Sequence, residues 1–185
     1  MDKKKAIDFL KDNQPMPNDN LLDEKTIQIY DDVRKYFFNN PDKECLPLFL
    51  NSFGEYDGYG IYQLVEDVVQ MFDHDDVVNC LIESLRSPFN GVKYWCAQIS
   101  ALFPDEKLIS PLVELLDDEN DDIRVASCTS LSQIHDDRII DILKNQINVE
   151  KNDAVIDFLT EIISDLIEDY SEIIVSALNK VTLTV

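Results

Sequence analysis

The sequence predicts an all-α fold, a right-handed α-α superhelix built from stacked helical hairpins. Two observations support this prediction. A segment of about 31 residues recurs, with copies that begin at Val77, Leu108 and Ile139, and the apolar positions of the copies coincide. Within each copy the apolar residues recur at the spacing of a helix. A fixed period of this size is typical of a solenoid, in which each unit buries its apolar face against its neighbours.

The clearest unit spans residues 108–138. Its first helix is predicted at residues 108–116 and its second at residues 123–134, with an acidic turn at residues 117–122 between them. Carboxylates at the start of a helix accept hydrogen bonds from free amides and lie at the positive end of the helix dipole. We interpret the turn as a helix start, because it lacks the glycine and the distal glutamate of a calcium-binding EF-hand loop.

The same register divides the chain into two parts. Residues 1–45 are predicted to be N-terminal capping helices, because the end of a solenoid must cover an exposed apolar layer. Residues 46–185 are predicted to be repeats, with units near 46–76, 77–107, 108–138 and 139–170 and a terminal helix at 171–182. Second helices are expected at residues 61–72 in the first unit and 154–168 in the fourth, and a strand-like tail at 181–185.

The charge of the chain limits its partners. It has 16 Lys and Arg residues against 37 Asp and Glu residues, a net charge of −21. Such a field repels phosphate backbones and anionic lipid surfaces, and it attracts basic proteins. No apolar run approaches the ~20 residues that span a bilayer, and the N-terminus lacks the apolar core of a secretion signal. We therefore expect a cytoplasmic protein with a basic protein partner, and neither nucleic acid nor membrane as a ligand.

No motif in the sequence predicts a catalytic residue, a cofactor or a metal site. The four cysteines form no CxxC pair and lie in apolar stretches, which predicts buried free thiols in a reduced compartment: Cys45, Cys80, Cys96 and Cys128. The two histidines, His74 and His135, lie in different aspartate-rich turns without further ligands that converge on them.

The second helix of the unit at residues 108–138 resembles a known repeat. Its pattern is an apolar residue followed by Arg124, then two free positions, two small residues, Leu131 and Ile134. This pattern is similar to that of the second helix of a HEAT repeat. The resemblance covers about residues 46–180 and fits the short, armadillo-type variety of this solenoid family. It implies that Asp118 is the turn aspartate that pairs with Arg124. The preceding unit matches more weakly, since Lys93 stands in place of the arginine.

The resemblance also predicts which residues line a binding groove. Second helices form the inner, concave surface of such solenoids, so Tyr94 and Trp95, at the free positions, are expected to face the groove as binding anchors. For Trp95, packing in the core is the alternative. Tyr62 is offset by 31 residues from Lys93 and is expected to join the aromatic stripe.

The first unit carries an acidic loop with two tyrosines, residues 55–60, in place of a short turn. Insertions in solenoids often emerge on the functional face, although a plain linker is the alternative. The full set of predicted partner-binding residues is Tyr56, Tyr59, Tyr62, Tyr94, Trp95, Asp118, Asp121, Asp122 and Arg124.

The function predicted on these grounds is that of a non-enzymatic module, an acidic HEAT-like solenoid that grips a basic protein through its concave face. Small acidic proteins of this kind resemble the immunity proteins of bacterial toxin systems, which implies a basic, nuclease-type toxin as the partner. The alternative is a HEAT-like lyase or isomerase subunit that acts on a small molecule, with Tyr94, Trp95 and Asp121 in a deep pocket. A solenoid that binds damaged DNA would need a basic concave face, which this chain lacks.

Overall fold

The computed structural model describes the backbone of residues 1–182 and the side chains of residues 1–168. Over these residues the chain forms α-helices and short 3-10 turns without a strand, so the predicted all-α fold is confirmed. The helices are α1 (Lys3–Asp12), α2 (Glu24–Asn39), α3 (Cys45–Leu50), α4 (Glu66–Val69), α5 (His74–Ser84), α6 (Asn90–Ser100), α7 (Ile109–Leu115), α8 (Asp121–Ser132), α9 (Arg138–Ile147) and α10 (Asp153–Thr182). The 3-10 turns are Asp19–Leu21, Tyr62–Val65 and Glu106–Leu108.

The helices pack as hairpins that follow one another along the chain. Helices α5 and α6, α7 and α8, and α9 and α10 form successive hairpins, and α6 lies directly beside α8. Helix α10 contacts α8 in turn, so the second helices form one continuous layer. The segments around Val92 and Ile123 therefore lie side by side, as the stacking of neighbouring repeats requires. At the other end, α1 packs on α2 and α3, and α2 packs on α4.

Small residues on α8 allow this close packing. Ser127 and Ser130 are fully buried, and their hydroxyls donate to the main-chain oxygens of Leu112 and Ala97 on the neighbouring helices. A buried hydroxyl without a partner would cost free energy, and these bonds to two adjacent helices remove that cost. These small residues thus allow the neighbouring helices to approach α8 closely and also form hydrogen bonds with them.

Helix α8 starts two residues earlier than predicted, at Asp121. Its N-cap is Asn120, whose side-chain oxygen accepts from the amide of Asp122 at 2.8 Å. The Asp118 carboxylate accepts from the amide of Asn120 at 2.9 Å and so shapes the preceding turn. The acidic turn therefore acts as a helix start, but an asparagine performs the capping that was predicted for carboxylates.

Three predicted elements differ in the structure. The second helix expected at residues 61–72 is a 3-10 turn, Tyr62–Val65, followed by the four-residue helix α4. At the C-terminus, α10 runs continuously from Asp153 to Thr182 where two helices were expected, since no glycine or proline interrupts this stretch. The strand-like tail expected at 181–185 is helical at 181–182, and its last residues, 183–185, lie outside the described chain. The division into capping helices and repeat units otherwise stays a prediction.

The predicted free thiols are confirmed. Cys45, Cys96 and Cys128 are buried and Cys80 is half-buried, and all four are free. Burial raises the pKa of the Cys45 and Cys128 thiols to about 12, which keeps them protonated and unreactive near neutral pH. These cysteines therefore act as small core residues. Among the described residues, no helix combines the length and apolar character that a membrane span requires.

Candidate functional site

An open cleft of about 690 Å³ lies where the N-terminal segment, the loop at residues 55–60, and the first turns of α6 and α8 meet. We call it the acidic cleft. Four of its lining residues are carboxylic acids, and none is a lysine or an arginine. The lining residues are Asp19, Glu55, Tyr56, Asp57, Asn90, Gly91, Tyr94, Trp95, Asn120 and Asp122. Its volume lies within the range of ligand pockets, about 300–1,000 Å³.

The loop at residues 55–60 has a defined conformation that is tied to the N-terminal segment. The Asp19 carboxylate accepts from the amide of Gly58 at 3.1 Å, and the Tyr59 hydroxyl donates to the main-chain oxygen of Asp19 at 3.1 Å. The Asn18 amide donates to the Glu55 carboxylate at 2.7 Å. Tyr56 has a φ of 68°, a left-handed conformation that is unfavourable for a residue with a side chain. Such a residue persists only where its surroundings hold it.

Trp95 forms the base of the acidic cleft and holds the loop. Its side chain is 9% exposed and stacks on Phe53 with ring centroids 5.7 Å apart. Its indole Nε1 donates to the main-chain oxygen of Tyr56 at 2.9 Å. Most of the Trp95 ring lies in the core, which was the alternative prediction for this residue. One edge of the ring lines the acidic cleft.

Gly91 permits the loop to approach the start of α6. A Cβ atom at this position would lie 2.0 Å from the main-chain oxygen of Gly54, a distance at which no side chain fits. The absence of a side chain at Gly91 therefore brings Glu55 and Tyr56 against α6. The role of Gly91 could not be predicted from the sequence, because a glycine in a helical pattern does not indicate which distant residue it contacts.

Tyr94 lies where the aromatic stripe was predicted, at the wall of the acidic cleft. Its ring is half-buried and meets Trp95 edge to face at 5.5 Å. Its hydroxyl accepts from the Gln98 amide at 3.0 Å, which fixes the ring orientation. Two exposed tyrosines of the loop accompany it, Tyr56 in the lining and Tyr59 nearby.

Tyr62 does not share this exposed stripe, and that prediction is wrong. Its ring is 0% exposed and packs edge to face against Tyr30, Phe53 and Trp95. The regular second helix that would carry Tyr62 on its outer positions is replaced by a 3-10 turn, so the ring enters the core. Burial raises the pKa of the Tyr62 hydroxyl to about 12.

Arg124 is engaged within the chain instead of facing the acidic cleft. It donates to both oxygens of Glu150 at 2.8 and 2.7 Å and to the Asp121 carboxylate at 2.7 Å. It also donates to the main-chain oxygen of Asp118 at 2.9 Å. The expected ion pair between the Arg124 and Asp118 side chains is therefore wrong, because Arg124 reaches the turn backbone and pairs with an acid of the next hairpin.

Asp118 and Asp121 are likewise engaged in contacts between units. The Asp118 carboxylate pairs with Lys93, the residue that occupies the arginine position one repeat earlier. The Asp121 carboxylate accepts from Arg124 and from the Asn152 amide. These two predicted binding residues therefore hold neighbouring hairpins together and do not line the acidic cleft.

Six lining residues were not predicted from the sequence. Glu55 and Asp57 belong to the loop at residues 55–60, which was predicted as a segment to lie on the functional face. The other four are Asp19, Asn90, Gly91 and Asn120. Asp19 reaches the cleft through its contact with the loop almost forty positions later, and no local pattern signals such a contact.

One group of metal-ligating side chains occurs elsewhere on the described surface. Ligand atoms of His74, Asp75 and Asp105 lie within 4.8 Å of one another. The Asp75 carboxylate also pairs with the Lys107 ammonium at 3.1 Å, a positive charge that opposes cation binding. The group is mostly exposed and lies outside the acidic cleft, and we assign no metal to it.

Comparison with known proteins finds a match for the middle of the chain. A family model described as HEAT repeats matches residues 78–161, from α5 into α10. A search of curated proteins found no match. HEAT repeats generally mediate interactions between proteins and are typically non-enzymatic scaffolds. The matched segment contains Tyr94, Trp95 and Asp122 but not the tyrosine loop. Residues 78–161 are thus similar to HEAT repeats, as the pattern around Arg124 predicts.

Proposed function

We propose that this chain is a non-enzymatic binding module that holds a basic protein at the acidic cleft. The observation that supports the proposal is the lining of the cleft, four carboxylic acids without a lysine or arginine. The chain around it carries a net charge of −21, so the field of the whole molecule adds to that of the cleft. Complementary charge speeds the encounter with a partner and selects against acidic ones.

The composition of the cleft supports a protein as the ligand. Its lining residues come from the N-terminal segment, the loop at residues 55–60 and two successive second helices, so the surface crosses several units of the array. Tyr56 is 75% exposed, Tyr59 is 65% exposed, and Tyr94 lies at the wall. Tyrosine and tryptophan are enriched among the residues that contribute most to protein interfaces.

We further propose that the partner is a basic, nuclease-type toxin and that the chain acts in the cytoplasm as its immunity protein. A nuclease must present positive charge to the phosphate backbone of its substrate. An acidic cleft with exposed tyrosines is complementary to such a surface and would cover it in competition with the substrate. This assignment rests on charge complementarity and on the resemblance to small acidic immunity proteins.

The alternative, a lyase or isomerase subunit that acts on a small molecule, has less support. Acid catalysis needs a carboxyl group whose pKa is raised. Burial and the neighbouring Asp67 raise the pKa of Glu66, but Glu66 lies on α4, outside the lining of the cleft. Asp121, the carboxyl considered for that role, is paired with Arg124.

A capture experiment with matched variants tests the proposal. The cleft variant combines Asp57→Asn with Asp122→Asn, and the control combines Asp67→Asn with Asp141→Asn at exposed positions outside the cleft. Both variants lose the same charge. We expect wild type and control to capture a basic protein from extract of the source cells at low salt, and the cleft variant to lose it. Equal capture by all three, or capture of no basic protein, would contradict the proposal.

A further inference from the structure

One side of the acidic cleft is aromatic and has a fixed geometry. The Tyr94 ring is held by the Gln98 amide and by its edge-to-face contact with Trp95. Trp95 is held in turn by its stack on Phe53 and its bond to the loop. An aromatic wall held by several contacts before binding is suited to a ligand with both a charge and an apolar or planar surface.

The carboxylates of the acidic cleft retain capacity to accept hydrogen bonds. Asp57 and Asp122 are exposed, and their carboxylates form neither an ion pair nor a hydrogen bond within the described part of the chain. Asp19 and Glu55 each use one carboxylate oxygen for the loop contacts, Oδ1 towards Gly58 and Oε2 towards Asn18. The cleft therefore presents several acceptors that a cationic ligand could satisfy.

The arrangement of these carboxylates fits an organic cation better than a metal ion. Among the described residues, the one group of acids and histidines that converges within 4.8 Å is that around His74, and the acids of the cleft do not converge in this way. A cavity of about 690 Å³ also greatly exceeds the coordination shell of a single ion. Aromatic rings next to carboxylates are a recurrent environment for guanidinium and ammonium groups.

Between these two organic cations, the cleft favours guanidinium. A guanidinium group is planar, stacks on aromatic rings and forms two parallel hydrogen bonds with one carboxylate, whereas an ammonium is a compact and strongly hydrated point charge. Tyr94 supplies the ring, and Asp57 and Asp122 supply unpaired carboxylates. A partner that engages both carboxylates would present two arginines.

We propose that the acidic cleft is an arginine-binding site, in which arginine side chains of the basic partner lie against Tyr94 and Trp95 and pair with Asp57 and Asp122. This inference rests on the proposed function and specifies which side chain of the partner the cleft recognises.

The single tryptophan of the chain makes the site directly measurable. Trp95 is the only tryptophan, so its fluorescence reports on the acidic cleft without a label. The probes are three capped tetrapeptides: Gly-Arg-Arg-Gly, Gly-Lys-Lys-Gly and Gly-citrulline-citrulline-Gly. Citrulline keeps the planar shape of the arginine side chain and removes its charge. Each is titrated at low salt against wild type, the Asp57→Asn/Asp122→Asn variant and the Asp67→Asn/Asp141→Asn control.

We expect the arginine peptide to change the Trp95 emission saturably, with about tenfold tighter binding than the citrulline peptide and several-fold tighter binding than the lysine peptide. The cleft variant should lose about tenfold in affinity, and the control should match wild type. Circular dichroism and thermal melting verify that both variants fold.

Three results would overturn the proposal. They are an emission that no peptide changes, equal binding of the arginine and citrulline peptides, and calcium ions that saturate the site and exclude the arginine peptide. Failure here is distinct from failure of the proposed function. If the cleft variant loses the captured partner while the arginine peptide leaves Trp95 unaffected, the cleft binds a basic protein without arginine recognition.

Discussion

The guanidinium of Arg124 and the carboxylate of Glu150 form a two-bond ion pair across consecutive hairpins, Nε to Oε2 at 2.8 Å and Nη2 to Oε1 at 2.7 Å. Their side chains are 11% and 2% exposed. One repeat earlier, Lys93 pairs with Asp118 in the corresponding way. A basic residue near the start of a second helix and an acid after the following first helix therefore form a recurring link between units.

We expect Arg124→Met to destabilise the chain by about 3–5 kcal/mol, because it leaves the Glu150 carboxylate buried without its partner. The double variant Arg124→Met/Glu150→Leu removes both charges and should recover most of that loss. Urea denaturation of the wild type, both single variants and the double variant gives the coupling free energy. Additive effects of the two substitutions would contradict a coupled, buried pair.

The same ion pair predicts a loss of stability in acid. The Arg124 guanidinium lowers the pKa of Glu150 from 4.5 to about 2. The backbone amides of Asn152 and Lys151 also lower this pKa, whereas partial burial raises it. The folded state therefore binds a proton less readily than the unfolded state. The stabilising contribution of the ionised Glu150 carboxylate to the free energy of unfolding is fully present above about pH 4.5 and is lost as the pH falls through about 2.

Denaturation measured over that pH range checks this prediction. The decline of the free energy of unfolding should be shallower in the Arg124→Met/Glu150→Leu variant than in the wild type. Other carboxylates with a lowered pKa, such as Asp136, titrate in both proteins and cancel in the comparison. Parallel curves for the two proteins would show that Glu150 contributes nothing to the pH dependence.

Trp95 has two roles that two substitutions separate. Trp95→Ala removes a nearly buried ring that stacks on Phe53, and we expect a loss of about 3–5 kcal/mol in the free energy of unfolding. Trp95→Phe keeps most of the apolar contact but removes the bond to the Tyr56 oxygen, which should cost about 1 kcal/mol directly.

The Phe variant should also loosen the loop at residues 55–60. Amide hydrogen exchange at Gly58, whose amide is bonded to Asp19, reports on the loop. We expect faster exchange there in Trp95→Phe and unchanged exchange in the middle of α8. Unchanged exchange at Gly58 would mean that the contacts with the N-terminal segment suffice to hold the loop.

Gly91→Ala should displace the loop from α6, because the added Cβ would lie 2.0 Å from the Gly54 oxygen. Backbone atoms must move to relieve this contact, and we expect a loss of about 1–3 kcal/mol and weaker partner binding. The substitution Asn145→Ala, at an exposed position of α9 outside the acidic cleft, serves as the control and should change stability by less than about 0.5 kcal/mol. Thermal melting and the capture experiment measure both effects, and a fully stable Gly91→Ala protein would disprove the close approach.

Much of the fold could be predicted from the sequence because its signals are local. The 31-residue period and the helical spacing of apolar residues indicate which face of each helix is buried, and from these the adjacency of α6 and α8 follows. The prediction fails for the second helix of the first unit. There a loop with four left-handed residues precedes the segment, which forms a 3-10 turn instead of a regular helix. The Tyr62 ring is consequently buried in the core.

The acidic cleft was only partly predictable, for a physical reason. Tyr94 and Trp95 were identified at the free positions of a repeat helix, Tyr56 in the inserted loop and Asp122 in the acidic turn, because each of these features stands out locally. Which of many similar acids remain unpaired depends on which hairpin lies next to them. Asp121 and Asp122 are neighbours in the chain, yet Asp121 is held by Arg124 and Asn152 while Asp122 faces the cleft.

The sequence by itself determined the all-helical repeat, the burial of three of its four free cysteines and the acidic character of its surface, since periodicity and composition are properties of the chain alone. Only the tertiary structure decided that Asp19 reaches the loop, that Gly91 admits it against α6, and that Arg124 pairs with Glu150. Each of these contacts joins residues about 20 to 40 positions apart, and their distances depend on how the hairpins pack.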